Sequence, residues 1–415
     1  MRASRPFRPA SRSRSVCLAA GTMLVALALP ARAQFGPDFR LTGPPFFVSQ
    51  TAKNHAWSVA TDDAGNVHVI YFDTRNGALG DVPPFYRRYD RALGAWDAEV
   101  RLPGFPTANA RYVAIAADCL GRVHVAWVNT VAGDQHYLYY KQRDATGAWG
   151  PDVVLQTHAT DTWDVRDPSV AADYLGNVYV VWAEGLKNLQ GDPVCNILYR
   201  VSDGSSWSGP SGITSYVSGV DPAPGARAPS VAAHHRLFGT GSIAHVAWSD
   251  DPTGQVRYRA IRFVPGSGVT LRGTVNVSLG SGAAPPTVAT RCGEADVVWS
   301  DSGTGVIAHR HGEMTFTVAE TTAFLPPAAT GLVGETPSIA VDGLGNTELA
   351  MRSGGAVVET HRSAMSGAWS APTPVSDPGA VPSDPSIAVD TRGAAHVVWR
   401  DDRSIPPGSG GAYYD

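Results

Sequence analysis

The sequence predicts an all-β fold: a seven-bladed β-propeller of four-stranded antiparallel blades, closed by an N-terminal strand that completes the last blade. Three observations predict it. One phrase returns seven times along the chain, 44 Gly and 31 Pro among 415 residues disfavour long helices, and the two ends of the chain complement one another. With 11 Trp, 14 Tyr and 12 Phe, the chain carries enough large apolar surface to fold rather than stay disordered.

In chain order, residues 1–33 stand apart from the fold. Arg2, Arg5, Arg8, Arg12 and Arg14 precede an apolar run from Val16 to Leu29 and the ending Ala31-Arg32-Ala33, without one acid. That is the pattern of a secretory signal peptide; cleavage is expected after Ala33, leaving 34–415 as one propeller domain of a secreted or periplasmic protein. Six of the 33 basic residues lie in this leader, so the mature chain has 27 basic against 37 acidic residues, a net charge of −10. This balance disfavours nucleic acid as a partner, and no later segment has the apolar length of a membrane span.

The repeated phrase reads SVATDDAGNVHVIYFD from Ser58, AIAADCLGRVHVAWVN from Ala114, SVAADYLGNVYVVWAE from Ser169 and SVAAHHRLFGTGSIAHVAWSD from Ser230. It returns as TVATRCGEADVVWSD from Thr287, SIAVDGLGNTELAMRS from Ser338 and SIAVDTRGAAHVVWRD from Ser386. Each copy is a short apolar strand, a turn containing Gly or Asp, and a second strand that usually ends in an aromatic, which is a hairpin. The first strand is nearly free of charge, as an innermost strand covered on both faces should be. Downstream come a third strand, such as Tyr137–Lys141 or Ile197–Arg200, a polar turn, and a fourth strand opened by Trp149, Trp207 or Trp369. Four strands per unit is the pattern of a propeller blade. The seventh unit stops after its third strand, at Ala412–Asp415. Phe35-Gly36-Pro37 followed by Phe46-Phe47-Val48-Ser49 copies the missing fourth, so residues 35–49 are expected to close the ring.

These features resemble the bacterial secreted propellers with degenerate BNR or Asp-box repeats, within the broad sialidase-like superfamily, over essentially the whole mature chain. The family's Ser/Thr-x-Asp-x-Gly-x-Thr-Trp turn is similar to Asp90–Trp96, Asp144–Trp149 and Asp203–Trp207, whereas Ser363–Trp369 lacks the Asp. In that family the box is a structural turn, so the resemblance implies architecture rather than chemistry. Catalytic members would imply an Arg-Ile-Pro opening, three arginines on a substrate carboxylate, an Asp acid and a Tyr/Glu nucleophile pair. Phe39-Arg40-Leu41-Thr42 lacks the Pro and falls in an outer strand, and the usual six blades differ from the seven counted here. No catalytic residue is carried over.

Propeller ligands usually bind at the mouth of the central channel, where the innermost strands begin. Three residues ahead of each phrase stand His55, Arg111, Arg166, Arg227, Ala284, Glu335 and Ser383. Arginines on three consecutive blades would form a cationic arc, suited by their guanidinium forks to carboxylates, sulfates or phosphates. Trp57, Tyr112 and Trp163 lie beside it for stacking on a sugar, Arg75 and Arg403 follow second strands on the same face, and Asp167, Glu335 and Asp384 supply acids. The alternative is that each arginine pairs with an acid of a neighbouring blade, such as Asp167 or Asp384, and ties loops together.

His68, His124, His245 and His396 recur at one place in the second strand, replaced by Tyr179, Asp296 and Glu348 elsewhere. Equivalent places on different blades cannot converge on one ion, so these are read as packing residues. His309 and His311, and His234 with His235, are read as surface histidines. Asp62–Asn66 and Asp342–Asn346 are read as turns rather than calcium loops, and no metal site is expected. The mature cysteines Cys119, Cys195 and Cys292 are expected to be too far apart to bridge. No nucleophile elbow, phosphate loop, zinc-protease or dinucleotide motif occurs, and no cofactor is expected. The expected role is recognition of an anionic glycan or another extracellular polymer at the axial mouth. The alternatives are a sialidase-like or acidic-polysaccharide-cleaving enzyme drawing on Glu335, Asp384, Asp167, Asp73, His55 or Glu184, and a scaffold for protein partners.

Overall fold

The repeats become seven antiparallel sheets, one per blade. The structure is a computed structural model, which describes residues 35–415 except 43–48, 51–57, 74–81, 106–108, 132–134, 159, 188–192, 219, 223, 236–240, 281, 283, 292, 315–321, 327 and 403–410. The expected signal peptide, His55, Trp57, Arg75, Arg403 and Cys292 lie outside the described residues. In blade 3 the strands run Trp163–Ala172, Val178–Lys187, Pro193–Ser202 and Ser211–Gly212 from the axis outwards. The innermost strands of blades 2, 4, 5, 6 and 7 are Ala110–Ala117, Ala226–His235, Thr287–Arg291, Glu335–Val341 and Pro382–Val389. No helix among the described residues is long and apolar enough to cross a membrane.

Local chemistry explains the hairpins. In blade 3 the Asp173 carboxylate accepts the Leu175 and Asn177 N–H groups and the Asn177 side-chain amide, and Gly176 supplies the positive φ of 81° that closes the turn. Asp62, Asp118, Asp342 and Asp390 build the same turn in blades 1, 2, 6 and 7. These are turns, as the sequence reading expected of Asp62 and Asp342.

Hydrophobic clusters fill the spaces between neighbouring blades all the way round the ring. Trp127, Trp182, Trp248 and Trp399, which lie within four of the second strands, are fully buried in them. On the axis, the third residue of every repeat is alanine: Ala60, Ala116, Ala171, Ala232, Ala289, Ala340 and Ala388 line a channel of about 210 Å³. A larger side chain there would hold seven converging strands apart. The strands are also stitched sideways. Ser386 Oγ accepts the Ser58 N–H at 3.0 Å, Ser169 the Val231 N–H at 3.2 Å, Ser230 the Val288 N–H at 3.1 Å and Ser338 the Ile387 N–H at 3.2 Å. The serine that opens the repeated phrase thus joins each of these blades to the next.

The chain ends close the ring, over a shorter segment than expected. Phe39 and Arg40 pair with Tyr414 and Tyr413, and the Leu41 N–H donates to the Ala412 carbonyl at 2.9 Å. Ser49 and Gln50 pair instead with Asp73 and Phe72 in blade 1, so Ser49 does not belong to the last blade, and Phe46, Phe47 and Val48 lie outside the described residues. The spacing explains the correction: Phe39 follows Phe35 at the interval by which Thr373 follows Trp369, and Leu41 and Thr42 take the buried places of Val375 and Ser376.

Candidate functional site

Each innermost strand that begins at the mouth is irregular there. Its pairing register shifts between Ala110 and Tyr112, Arg166 and Ser169, Arg227 and Ser230, Glu335 and Ser338, and Ser383 and Ser386. In four of these bulges one residue has a left-handed backbone: Asp167 (φ 52°), Ala228 (48°), Thr336 (50°) and Asp384 (51°). Each precedes a proline, where an extended backbone is the usual outcome. A left-handed non-glycine costs on the order of 1–2 kcal/mol, so four equivalent cases mean that the surrounding structure enforces the bulge. One tie is visible: the buried Asp167 carboxylate accepts the Ala228 N–H at 3.2 Å, joining the bulges of blades 3 and 4.

The bulges set Arg111 and Tyr112, Arg166 and Asp167, and Arg227 and Ala228 on three adjacent blades. Arg111 is exposed. Arg166 is half-buried and engaged through Nε and Nη2 by Asp164, two residues earlier on the same strand. Arg227 is exposed and pairs with Asp251. Arg166 and Arg227 thus take acids of their own blades, Arg166 because residues two apart on a strand share a face. Across the ring, exposed Glu335 pairs with Arg352 at 3.0 Å, and half-buried Asp384 lies in the bulge of blade 7.

Blade 3 carries a cluster of buried polar groups. Buried Asp164 also bonds His136 Nδ1, from blade 2, at 2.7 Å. Burial alone would raise its pKa, but the His136 hydrogen bond and the Arg166 charge hold it at about 2. Buried Glu184 accepts the Trp182 indole N–H at 2.7 Å and the Gln156 amide at 2.7 and 2.9 Å, with His158 Nε2 3.0 Å away. Its pKa too is lowered, because these contacts with His158, Trp182 and Gln156 outweigh burial. The His158 ring stacks on Trp163, 4.6 Å between centroids. Among the described residues, the equivalent indole N–H groups of Trp127, Trp248 and Trp399 have no hydrogen-bond partner, so Glu184 sets blade 3 apart.

Tyr112 and Cys195 face the same charges. Burial, reinforced by Asp167, pushes the Tyr112 phenol up to about 12, and burial pushes the Cys195 thiol up to about 12 against the pull of Arg166. Neither is an activated nucleophile. Cys195 lies within a third strand, and both it and Cys119 are free thiols. Asp164 and Glu184 are held as carboxylates and have no proton to give near neutrality.

The recurring histidines have a structural role. His68, His124 and His396 each bond a third-strand tyrosine through Nδ1, at 2.7, 2.7 and 2.8 Å, and turn Nε2 towards the Asp of the hairpin turn. Those tyrosines, Tyr86, Tyr140 and Tyr414, meet Trp149, Trp207 and Trp96 of the next blade edge to face, at 5.0, 4.8 and 5.0 Å. Two expectations need correction. His309 is buried and His311 half-buried, both on Asp296 at 2.6 and 3.0 Å, and buried His234 lies within a strand, 3.2 Å from His245 Nε2. The carboxylate and the partner imidazole draw these rings inward.

Sequence reading missed His136, Asp164 and His158. The only signal available was the alternation in Trp163-Asp164-Val165-Arg166, which puts the acid and the arginine on one face. A second cavity, of about 420 Å³, opens between the outer strands of blades 2 and 3 and is lined by Tyr140, Trp149 and Trp207.

No protein-family model and no curated protein matches the chain. Solved structures do. A protein of unknown function from Dyadobacter fermentans is 12% identical, with 92% of this chain and 98% of that one covered and a TM-score of 0.51. The GH93 α-L-arabinofuranosidase of Fusarium graminearum is 13% identical over 92% and 98%, at 0.47. The NanB sialidase of Streptococcus pneumoniae is 12% identical over 92% and 70%, at 0.45. At these identities the likeness concerns the fold alone.

Proposed function

We propose that the protein is an exported recognition module that binds an acidic glycan, one bearing uronate or sialate carboxylates, at the mouth formed by blades 2, 3 and 4. The observation that carries this reading is the setting of Arg111, Arg166 and Arg227 on three adjacent bulges, with Tyr112 near Arg111 and Arg166. Guanidinium groups suit sugar carboxylates, and Tyr112 and Trp163 offer faces for the apolar side of a pyranose ring. Within the blade 3 cluster the acids suit recognition better than hydrolysis: glycoside cleavage needs a protonated carboxyl as general acid, and the partners of Asp164 and Glu184 lower both pKa values. The sialidase and arabinofuranosidase neighbours agree with a sugar ligand without supporting an activity.

The test is a glycan array of sialylated, uronate-containing and neutral sugars, probed with the parent and with Arg111→Ala/Arg227→Ala, which spares the buried Asp164 cluster. The expected result is binding confined to acidic glycans, weakened by salt, lost in the double variant and accompanied by no new reducing ends. Equal binding by parent and variant would refute the site. Cleavage of the bound glycan would refute the recognition reading.

A further inference from the structure

Blade 6 breaks the pattern of its neighbours at the place where His68, His124, His245 and His396 bond tyrosines. The histidine position is Glu348, the tyrosine position is Glu359, and His361 stands across the ladder from Glu348. Antiparallel pairing and the two-residue repeat of a strand put all three side chains on one face. One ligand atom from each lies within 4.8 Å of the others. Glu348 and Glu359 are only 9% and 7% exposed, while His361 is half-buried, which leaves a way in from solvent.

The charges do not balance. The groups acting on Glu348 are Glu359, which hydrogen-bonds it, and Asp342; all are acids. Among the described residues, no lysine, arginine or amide donor reaches either glutamate. Two adjacent carboxylates nine-tenths removed from water are unfavourable unless a shared proton or a metal ion joins them. Blade 5 shows the balanced form of the same position, where the single carboxylate of Asp296 lies between two imidazoles. Blade 6 has two acids and one imidazole.

We propose that Glu348, Glu359 and His361 form a binding site for a divalent transition-metal ion of the zinc type, linking the second and third strands of blade 6. Two carboxylate oxygens and one imidazole nitrogen match the N/O preference of Zn²⁺, and an imidazole ligand disfavours Ca²⁺ and Mg²⁺, which take oxygen almost throughout. Three protein ligands leave a coordination position for water. The ion would supply the positive charge that the buried pair lacks. Nothing in this site depends on the glycan reading at the mouth.

The test uses the mature chain stripped with chelator, titrated with Zn²⁺ by calorimetry and then loaded with Co²⁺ for visible absorption. One Zn²⁺ per chain, a raised thermal midpoint and a cobalt d–d band are expected. Glu359→Gln, which keeps the shape, and His361→Ala each remove a direct ligand, so each should weaken binding by more than the roughly 10–100-fold that outer partners cost. His311→Ala in blade 5 should bind as the parent does. Absence of stoichiometric uptake overturns the proposal. So does uptake that survives both blade 6 substitutions, or uptake lost on changing His311. Should Glu359→Gln fail to fold, His361→Ala decides alone.

Discussion

Asp167, Ala228, Thr336 and Asp384 hold a backbone that ordinary side chains avoid, and each stands immediately before a proline that should have kept it extended. Residue rules of local preference therefore fail at the mouth, where function is proposed, and hold in the hairpin turns. Ala228 tests this most simply because its side chain makes no polar contact. Ala228→Gly relieves the left-handed cost while adding some unfolded-state entropy, so it should stabilise the protein by about 0.5–1 kcal/mol in urea denaturation. Ala228→Val should destabilise it, and the reverse order would show that the bulge is unstrained. The arginines of the mouth were legible by position, because the repeat can be counted. Their surroundings were legible only in part: Asp164 was visible two residues before Arg166, but His136, which bonds Asp164, comes from another blade and no local pattern announces it.

At the scale of the element, the Asp–His–Tyr–Trp chain explains why a histidine recurs without a metal. Burial lowers the pKa of His68, His124 and His245, so the folded state holds them neutral. Their depressed folded values set the sign. The stability they contribute is complete above the unfolded histidine value of about 6.5 and is lost as pH falls below it towards the folded values. Denaturation midpoints should drop between pH 7.5 and pH 5; an unchanged or rising midpoint would contradict the assignment. Tyr140→Phe leaves the buried His124 Nδ1 without its partner and should cost about 1–3 kcal/mol. The period of the hairpin revealed this position in the sequence. What each histidine touches was hidden, because the tyrosine follows 13 to 18 residues later and the indole belongs to the next blade.

At the scale of the whole molecule, the ring was readable because seven copies of one phrase leave few architectures open, and alanine at the third place of each copy fits a narrow axle. The closure by an N-terminal strand was read correctly but its extent was not: Phe39 and Arg40 pair with the last blade, whereas Ser49, which the sequence offered as part of the same strand, pairs with blade 1. Leu41 is the residue that seals the seam: it is buried with Val59, Val398 and Ala412, so it touches both the first and the last blade. Leu41→Ala should cost about 2–5 kcal/mol, and a value near zero would mean that closure contributes little. The mouth is the other whole-molecule property, because three blades must keep their order for Arg111, Arg166 and Arg227 to adjoin. The most direct test is a crystal structure with an acidic oligosaccharide. Recognition at the mouth predicts a sugar carboxylate within hydrogen-bond distance of Arg111 or Arg227, beside Tyr112. A sugar seated instead in the outer cavity between Trp149 and Trp207 would contradict it.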